Sequence, residues 1–137
     1  MTSKPTILYV DDNPRSRRLL SSLLEDCEVE VLAVADPNQA LELSRNRSFN
    51  LAVVDYEMPR MTGTELAQKM KTIRPHLPVI LLSGGTPPEP HELISVDVHF
   101  GAGTSLGDLF GTVRAFVELN HLRGVNALRP AQWADST

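Results

Sequence analysis

Apolar residues in this chain fall into short continuous blocks separated by longer segments in which they recur every three to four positions. The first block, Thr6–Val10, is the length of a strand and apolar enough to be buried on both faces. Asn13 behind it is a good helix N-cap and Pro14 suits a first helical position, so a helix is predicted from about Pro14 to Glu25, with Leu19, Leu20, Leu23 and Leu24 on one face. A second strand is expected at about Glu28–Val34, where Val29, Val31 and Ala33 alternate with other residues. Asp36 caps a second helix, with Pro37 first and Gln39 in a capping-box position, ending near Asn46. The third block, residues 51–54, climbs to Asp55 and breaks at Pro59 and Gly63. Thr62 and Glu65 form a capping-box pattern opening a third helix, whose Leu66, Ala67, Met70 and Ile73 point inward until Pro75 and Pro78 stop it. The fourth block, Val79–Leu82, ends at Ser83, Gly84 and Gly85. Residues 86–90 carry three prolines, which excludes helix and leaves only His91–Val96 for a shortened fourth helix of one or two turns. A fifth strand follows at about Asp97–Phe100, then a loop at residues 101–103. Ser105 caps a last helix with a buried stripe of Leu106, Leu109, Phe110, Val113, Phe116 and Val117. Residues 122–137 have no clear period and read as a C-terminal tail or linker remnant behind a domain spanning residues 1–121.

Five strand–helix units with right-handed crossovers make a parallel sheet with helices on both faces. The fold class is α/β, a flavodoxin-like, doubly wound five-stranded sheet in the order 2-1-3-4-5. That order sets the first and third strands side by side. Asp11 and Asp12 follow one and Asp55 ends the other, so three carboxylates meet at the sheet edge where open α/β sheets bind ligands. A lone Asp there would be explained by capping and turn chemistry. Three at two neighbouring strand ends are a concentration of charge that a divalent cation relieves, and oxygen-only ligands favour Mg²⁺ or a similar hard ion. Ser83 repeats the placement of a polar group at a strand end, where a turn serine would also sit. Arg17 and Arg18 read as solvated helix surface, while Arg15 is close enough to the acidic pair to matter.

Composition adds little beyond exclusions. The 137 residues suit one domain, and 42% hydrophobic with 22% charged residues is an ordinary balance. A net charge of −4 argues against a nucleic-acid surface, and no stretch reaches the length of a membrane span. Residues 1–5 do not resemble a signal peptide, and Cys27, the single cysteine, allows no intrachain disulfide, so the cytoplasm is the expected home. Cys27 lies near the end of an apolar helix, which points to burial rather than reactivity. His76 and His91 read as loop residues, His121 as exposed, and the four histidines lack metal-ligand spacing.

The acidic pair Asp11-Asp12, Asp55 with Met58-Pro59 and Thr62-Gly63 behind it, and Ser83 after the fourth strand together resemble a two-component response-regulator receiver domain over roughly residues 5–120. The resemblance implies that Asp55 accepts a phosphoryl group from a histidine kinase or phosphotransfer protein. It implies that Asp12, Asp55 and the backbone carbonyl of Glu57 ligate Mg²⁺, with Asp11 acting through water. It places Ser83 on a phosphoryl oxygen and His99 at the switch position of the fifth strand, where a half-buried strand histidine is the plainer reading. The family's lysine after the fifth strand is absent: Ala102 stands there, Gly103 replaces the proline behind it, and no lysine follows Lys71. Arg60 could supply charge but reads as an exposed loop residue. The missing lysine and shortened fourth helix imply an altered switch and output surface, with a homodimer left open.

The leading expectation is therefore a phosphoryl acceptor with an atypical switch, not an enzyme beyond its own phosphorylation and dephosphorylation. The alternative is a phosphorylation-independent pseudo-receiver acting as a protein-interaction module. An aspartate-nucleophile phosphatase would want a second aspartate two residues beyond Asp55, where Glu57 stands, together with a lysine. A nucleotide or flavin cradle would want glycines where the first and third turns carry acids.

Overall fold

The computed structural model describes residues 4–125, with side chains through Leu119. In chain order the elements are β1 (Thr6–Val10), α1 (Pro14–Glu25), β2 (Glu30–Val34), α2 (Pro37–Asn46), β3 (Leu51–Asp55), α3 (Gly63–Ile73), β4 (Val79–Leu82), a 3-10 helix (Pro90–Ser95), β5 (Val98–Phe100) and α4 (Leu106–Val125). All neighbouring strands pair in parallel, in the order β2-β1-β3-β4-β5.

The continuous apolar blocks are explained by what covers each face of the sheet. Leu8, Val10, Ala52, Val54, Val79 and Leu81 point to one side, where Ala40 and Leu41 of α2 and Leu66, Ala67 and Met70 of α3 close over them. Ile7, Tyr9, Leu51, Val53 and Ile80 point to the other, against Leu24 of α1 and Leu109 and Val113 of α4. A strand covered on both sides cannot alternate apolar with polar, which is why β1 and β3 read as unbroken runs.

Several boundaries and faces differ from the sequence expectation. β2 begins at Glu30 rather than Glu28, because Glu28 adopts a left-handed φ of 63° in the turn out of α1. β5 begins at Val98 because Asp97 is used as a clamp: its Oδ2 accepts from Val79 N at 2.7 Å and pairs with Lys71 Nζ at 2.6 Å. Pro90, expected outside any helix, opens the 3-10 helix at a position where its missing N–H costs nothing. Leu19 and Leu106 do not join the core, being 60% and 51% exposed. On α1 the inward stripe runs through Leu20 and Leu24, and Leu19 falls one step outside it. Gln39 closes no capping box; the Asp36 carboxylate alone caps α2, on Asn38 N. The caps expected from Asn13, Thr62 with Glu65, and Ser105 are all formed.

α4 continues to Val125, into the segment read as tail; residues 126–137, Trp133 among them, and the side chain of His121 lie outside the described residues. Cys27 is half-buried just past α1 and packs against the α1/α4 side of the core. His76 is exposed in the turn after α3, as expected of a loop residue, while His91, also exposed, lies within the 3-10 helix.

Candidate functional site

Register builds the site. Val10 lies opposite Val54, so the next residues, Asp11 and Asp55, emerge side by side from two adjacent buried strands. Asp11 N donates to Val34 O of β2 and Tyr56 N to Leu82 O of β4, which pins both strand ends. Each of Asp11, Asp12 and Asp55 offers a carboxylate oxygen, and these oxygens all lie within 4.8 Å of one another. Asp11 is buried, Asp55 half-buried and Asp12 exposed, so the cluster opens to solvent on one side.

Asp11 is held from three directions. Its Oδ2 accepts from the Tyr9 hydroxyl at 2.6 Å, its Oδ1 accepts from Asn13 N at 3.0 Å, and its backbone carbonyl accepts from Arg17 Nη1 at 2.8 Å. Burial, with the hydrogen bond to Asp11 adding, pushes the Tyr9 hydroxyl well above its ordinary range, so it stays protonated and donates. Arg17 thus departs from the expected solvated role: it is half-buried and braces the acidic turn, whereas Arg15 and Arg18 are exposed.

Asp55 carries the electrostatic cost. Burial, and then the neighbouring charges of Asp11, Asp12 and Glu57, push its carboxyl up to about 7. Among the described residues no basic side chain forms an ion pair with the cluster; the ion pair they contain is Lys71–Asp97. An all-oxygen cluster whose own charges resist full ionisation is the donor set a hard divalent cation fits. Glu57 lies in the exposed loop beyond Asp55. Its carboxylate occupies space left by Gly85, where a Cβ would come within 2.5 Å of Glu57 Oε1. Gly63 is required too. A Cβ there would collide with the Asp55 carbonyl and the Leu81 side chain, while its N–H donates to Tyr56 O at 2.9 Å and folds the loop back onto the strand end. Arg60 sits in this loop with a left-handed φ of 72° and is exposed.

Ser83 and His99 are brought together. Ser83 is 4% exposed, and its Oγ lies 2.7 Å from His99 Nε2. His99 stands opposite Leu81 on the α2/α3 side of the sheet, so the pair joins the end of β4 to β5. Ala102, exposed in the loop after β5, brings only a methyl group to the lysine position.

Sequence reasoning missed a second set of contacts beside the acids. The Glu92 carboxylate accepts from the Tyr56 hydroxyl at 3.0 and 3.1 Å, from Thr64 Oγ1 at 3.2 Å and from Glu89 N at 2.7 Å. These bonds hold the Glu92 carboxyl below its usual range, led by the one from Glu89 N, and hold the Tyr56 hydroxyl above its own. They latch the 3-10 helix to the residue next to Asp55 and to the first turn of α3. Nothing in the local pattern marks Glu92. Tyr9 did carry a signal, as a residue with a polar tip two positions before Asp11 in an apolar run and so on the same face.

Comparison with known proteins agrees with this geometry. The family model described as the response regulator receiver domain matches residues 7–99. The two-component response regulator ORR3 of Oryza sativa subsp. indica is 35% identical over 88 residues, covering 62% of this chain and 67% of that protein. A protein-glutamate methylesterase/protein-glutamine glutaminase of Vibrio vulnificus is 36% identical over 85 residues, 61% of this chain; the chain spans only 24% of that relative's length. Among solved structures, the CheY-like receiver domain protein of Methanospirillum hungatei JF-1 superposes with a TM-score of 0.78 at 25% identity, covering 88% of this chain and 99% of the other. The response regulator TrrA of Thermotoga maritima, solved in complex with Mg(2+)-BeF, gives 0.72 at 24% identity, covering 82% and 98%. The chain belongs to the response regulator receiver domain family of two-component signalling.

Proposed function

We propose that Asp55 is the phosphoacceptor of this receiver, taking its phosphoryl group from a phosphohistidine on a histidine kinase or phosphotransfer protein in the cytoplasm. The observation that carries the reading is the convergence of the Asp11, Asp12 and Asp55 oxygens within 4.8 Å at the open end of β1 and β3. The ionised Asp55 carboxylate attacks phosphorus, an O–P bond forms, and the P–N bond breaks with its electron pair returning to the imidazole. Asp12, Asp55 and the Glu57 carbonyl would hold Mg²⁺, with Asp11 reaching it through water, and the ion would neutralise charge gathering on the phosphoryl oxygens. That role fits the Mg(2+)-BeF complex in which TrrA was solved.

Ser83 supplies the switch. Its hydroxyl is engaged with His99 before phosphorylation. Turning to a phosphoryl oxygen breaks that bond and frees His99 Nε2, so the event at Asp55 is felt on β5. The charge-assisted contact that a lysine would add, worth about 1.5–3 kcal/mol, has no counterpart at Ala102, so the switched state leans more heavily on Ser83. The complete acid cluster favours this reading over a phosphorylation-independent module.

Cation-linked stability tests it. Saturating Mg²⁺ should raise the melting temperature of the parent and leave Asp55→Ala unmoved. Equal melting with and without Mg²⁺ in the parent would favour the phosphorylation-independent module.

A further inference from the structure

We propose that Tyr9 is a positioning residue for the cation site, acting through Asp11; the inference rests on the Mg²⁺ reading above. Tyr9 is fully buried in the face of β1 that packs against α1 and α4. Its ring is fixed by Ile7, Leu24, Val53 and the rest of that packing, so the position of its hydroxyl oxygen is set by the core. That oxygen reaches the end of the strand and donates to Asp11 Oδ2 at 2.6 Å, with Ser16 O a second, longer acceptor at 3.4 Å. Asn13 N donates to the other carboxylate oxygen, Asp11 Oδ1, at 3.0 Å. Asp11 is therefore clamped at both oxygens while each retains an acceptor site. Asp12, exposed and next in sequence, makes no side-chain hydrogen bond among the described residues. One carboxylate of the pair is pre-set and the other is free to adapt.

The consequence concerns cation affinity. An unclamped Asp11 would lose orientational freedom when the site fills; partners that orient directly ligating groups are typically worth tenfold or more in metal affinity, and one acting through a water-linked carboxylate is worth less. Tyr9→Phe keeps the ring and its packing and removes only the donor. Mg²⁺ titrations of the full chain, followed by backbone amide NMR shifts, should give a dissociation constant raised about fivefold by Tyr9→Phe, short of the tenfold that the partner of a direct ligand gives. A double-mutant cycle separates positioning from general loosening: in an Asp11→Ala background the Tyr9→Phe effect should fall below twofold, because the group it acts through is gone.

A Tyr9→Phe constant within twofold of the parent, or an equal loss in both backgrounds, overturns the inference while leaving Mg²⁺ binding intact. A parent whose amides do not move with Mg²⁺ overturns the cation reading and this inference with it. Should Tyr9→Phe not fold, the parent carrying ring-labelled tyrosine decides. The Tyr9 Cζ resonance, assigned by loss of the Tyr56 signal in Tyr56→Phe, should move on Mg²⁺ saturation in the parent and stay fixed in Asp11→Ala. A Tyr9 signal indifferent to Mg²⁺ in the parent overturns the proposal.

Discussion

At Asp55, the proposed phosphoacceptor, partial burial makes the carboxylate costly to ionise. Its carboxyl sits at about 7 in the folded chain against an ordinary 3.8, so the folded state holds the proton more tightly than the unfolded one. The stability this contributes is complete below about pH 4 and is lost as pH rises through 7. In Mg²⁺-free buffer, urea midpoints of the parent should fall between pH 5 and 8. Asp55→Asn should flatten that slope and be the more stable at pH 8 by about 1–2 kcal/mol, discounted for a half-exposed carboxyl. A parent that gains stability over this range would contradict the assignment of charge. At Gly63, substitution by Ala should cost about 1–3 kcal/mol in urea melts, because the new methyl meets the unyielding Asp55 carbonyl as well as the Leu81 side chain. Asp11, Asp12, Asp55 and Ser83 were legible in the sequence because strand ends and turn residues announce themselves. Gly85 and Glu92 were not, because each acts on residues brought near only by the fold, and Arg17 was not, because its side chain turns back across the cap to the Asp11 carbonyl where a solvated helix face was expected.

Among the elements, the β4–β5 connection departs furthest from a regular strand–helix unit. The prolines at 87, 88 and 90 rule out a long helix, and that much the sequence makes plain. What holds the shortened segment was hidden: the Glu92 latch onto Tyr56 and Thr64, and the Lys71–Asp97 pair where β5 begins. Glu92→Ala should therefore speed amide exchange across residues 89–96 while leaving β1 and β3 protected; unchanged exchange would show the prolines alone to suffice. The Glu92 carboxyl lies below its usual range, so its contribution is present above that range and fades as pH falls through the lowered value. The latch starts one residue from Asp55 and leaves Ile94 on the same segment 87% exposed. Leu19 and Leu106 were misplaced for a common reason: at the edge of an apolar stripe, one residue's turn of 100° separates core from solvent.

Across the whole molecule, the alternation of apolar runs and helical periods marked a parallel sheet covered on both faces, and the adjacency that the three carboxylates require selected the order 2-1-3-4-5 among those that right-handed crossovers allow. The same two-sided coverage makes the core sensitive. Leu24→Ala on α1 should cost about 2–5 kcal/mol in urea melts without altering which residues meet at the strand ends. The site follows from topology: β1 and β3 are neighbours, so the acids that end them are too. Whether that meeting of carboxylates is a phosphoacceptor is tested most directly by the intact mass of the full chain after incubation with acetyl phosphate, with and without Mg²⁺, beside Asp55→Ala. The account predicts a single phosphoryl adduct that needs Mg²⁺ and is absent from the variant. An adduct that survives in Asp55→Ala, or none in the parent where another receiver is labelled, would contradict it.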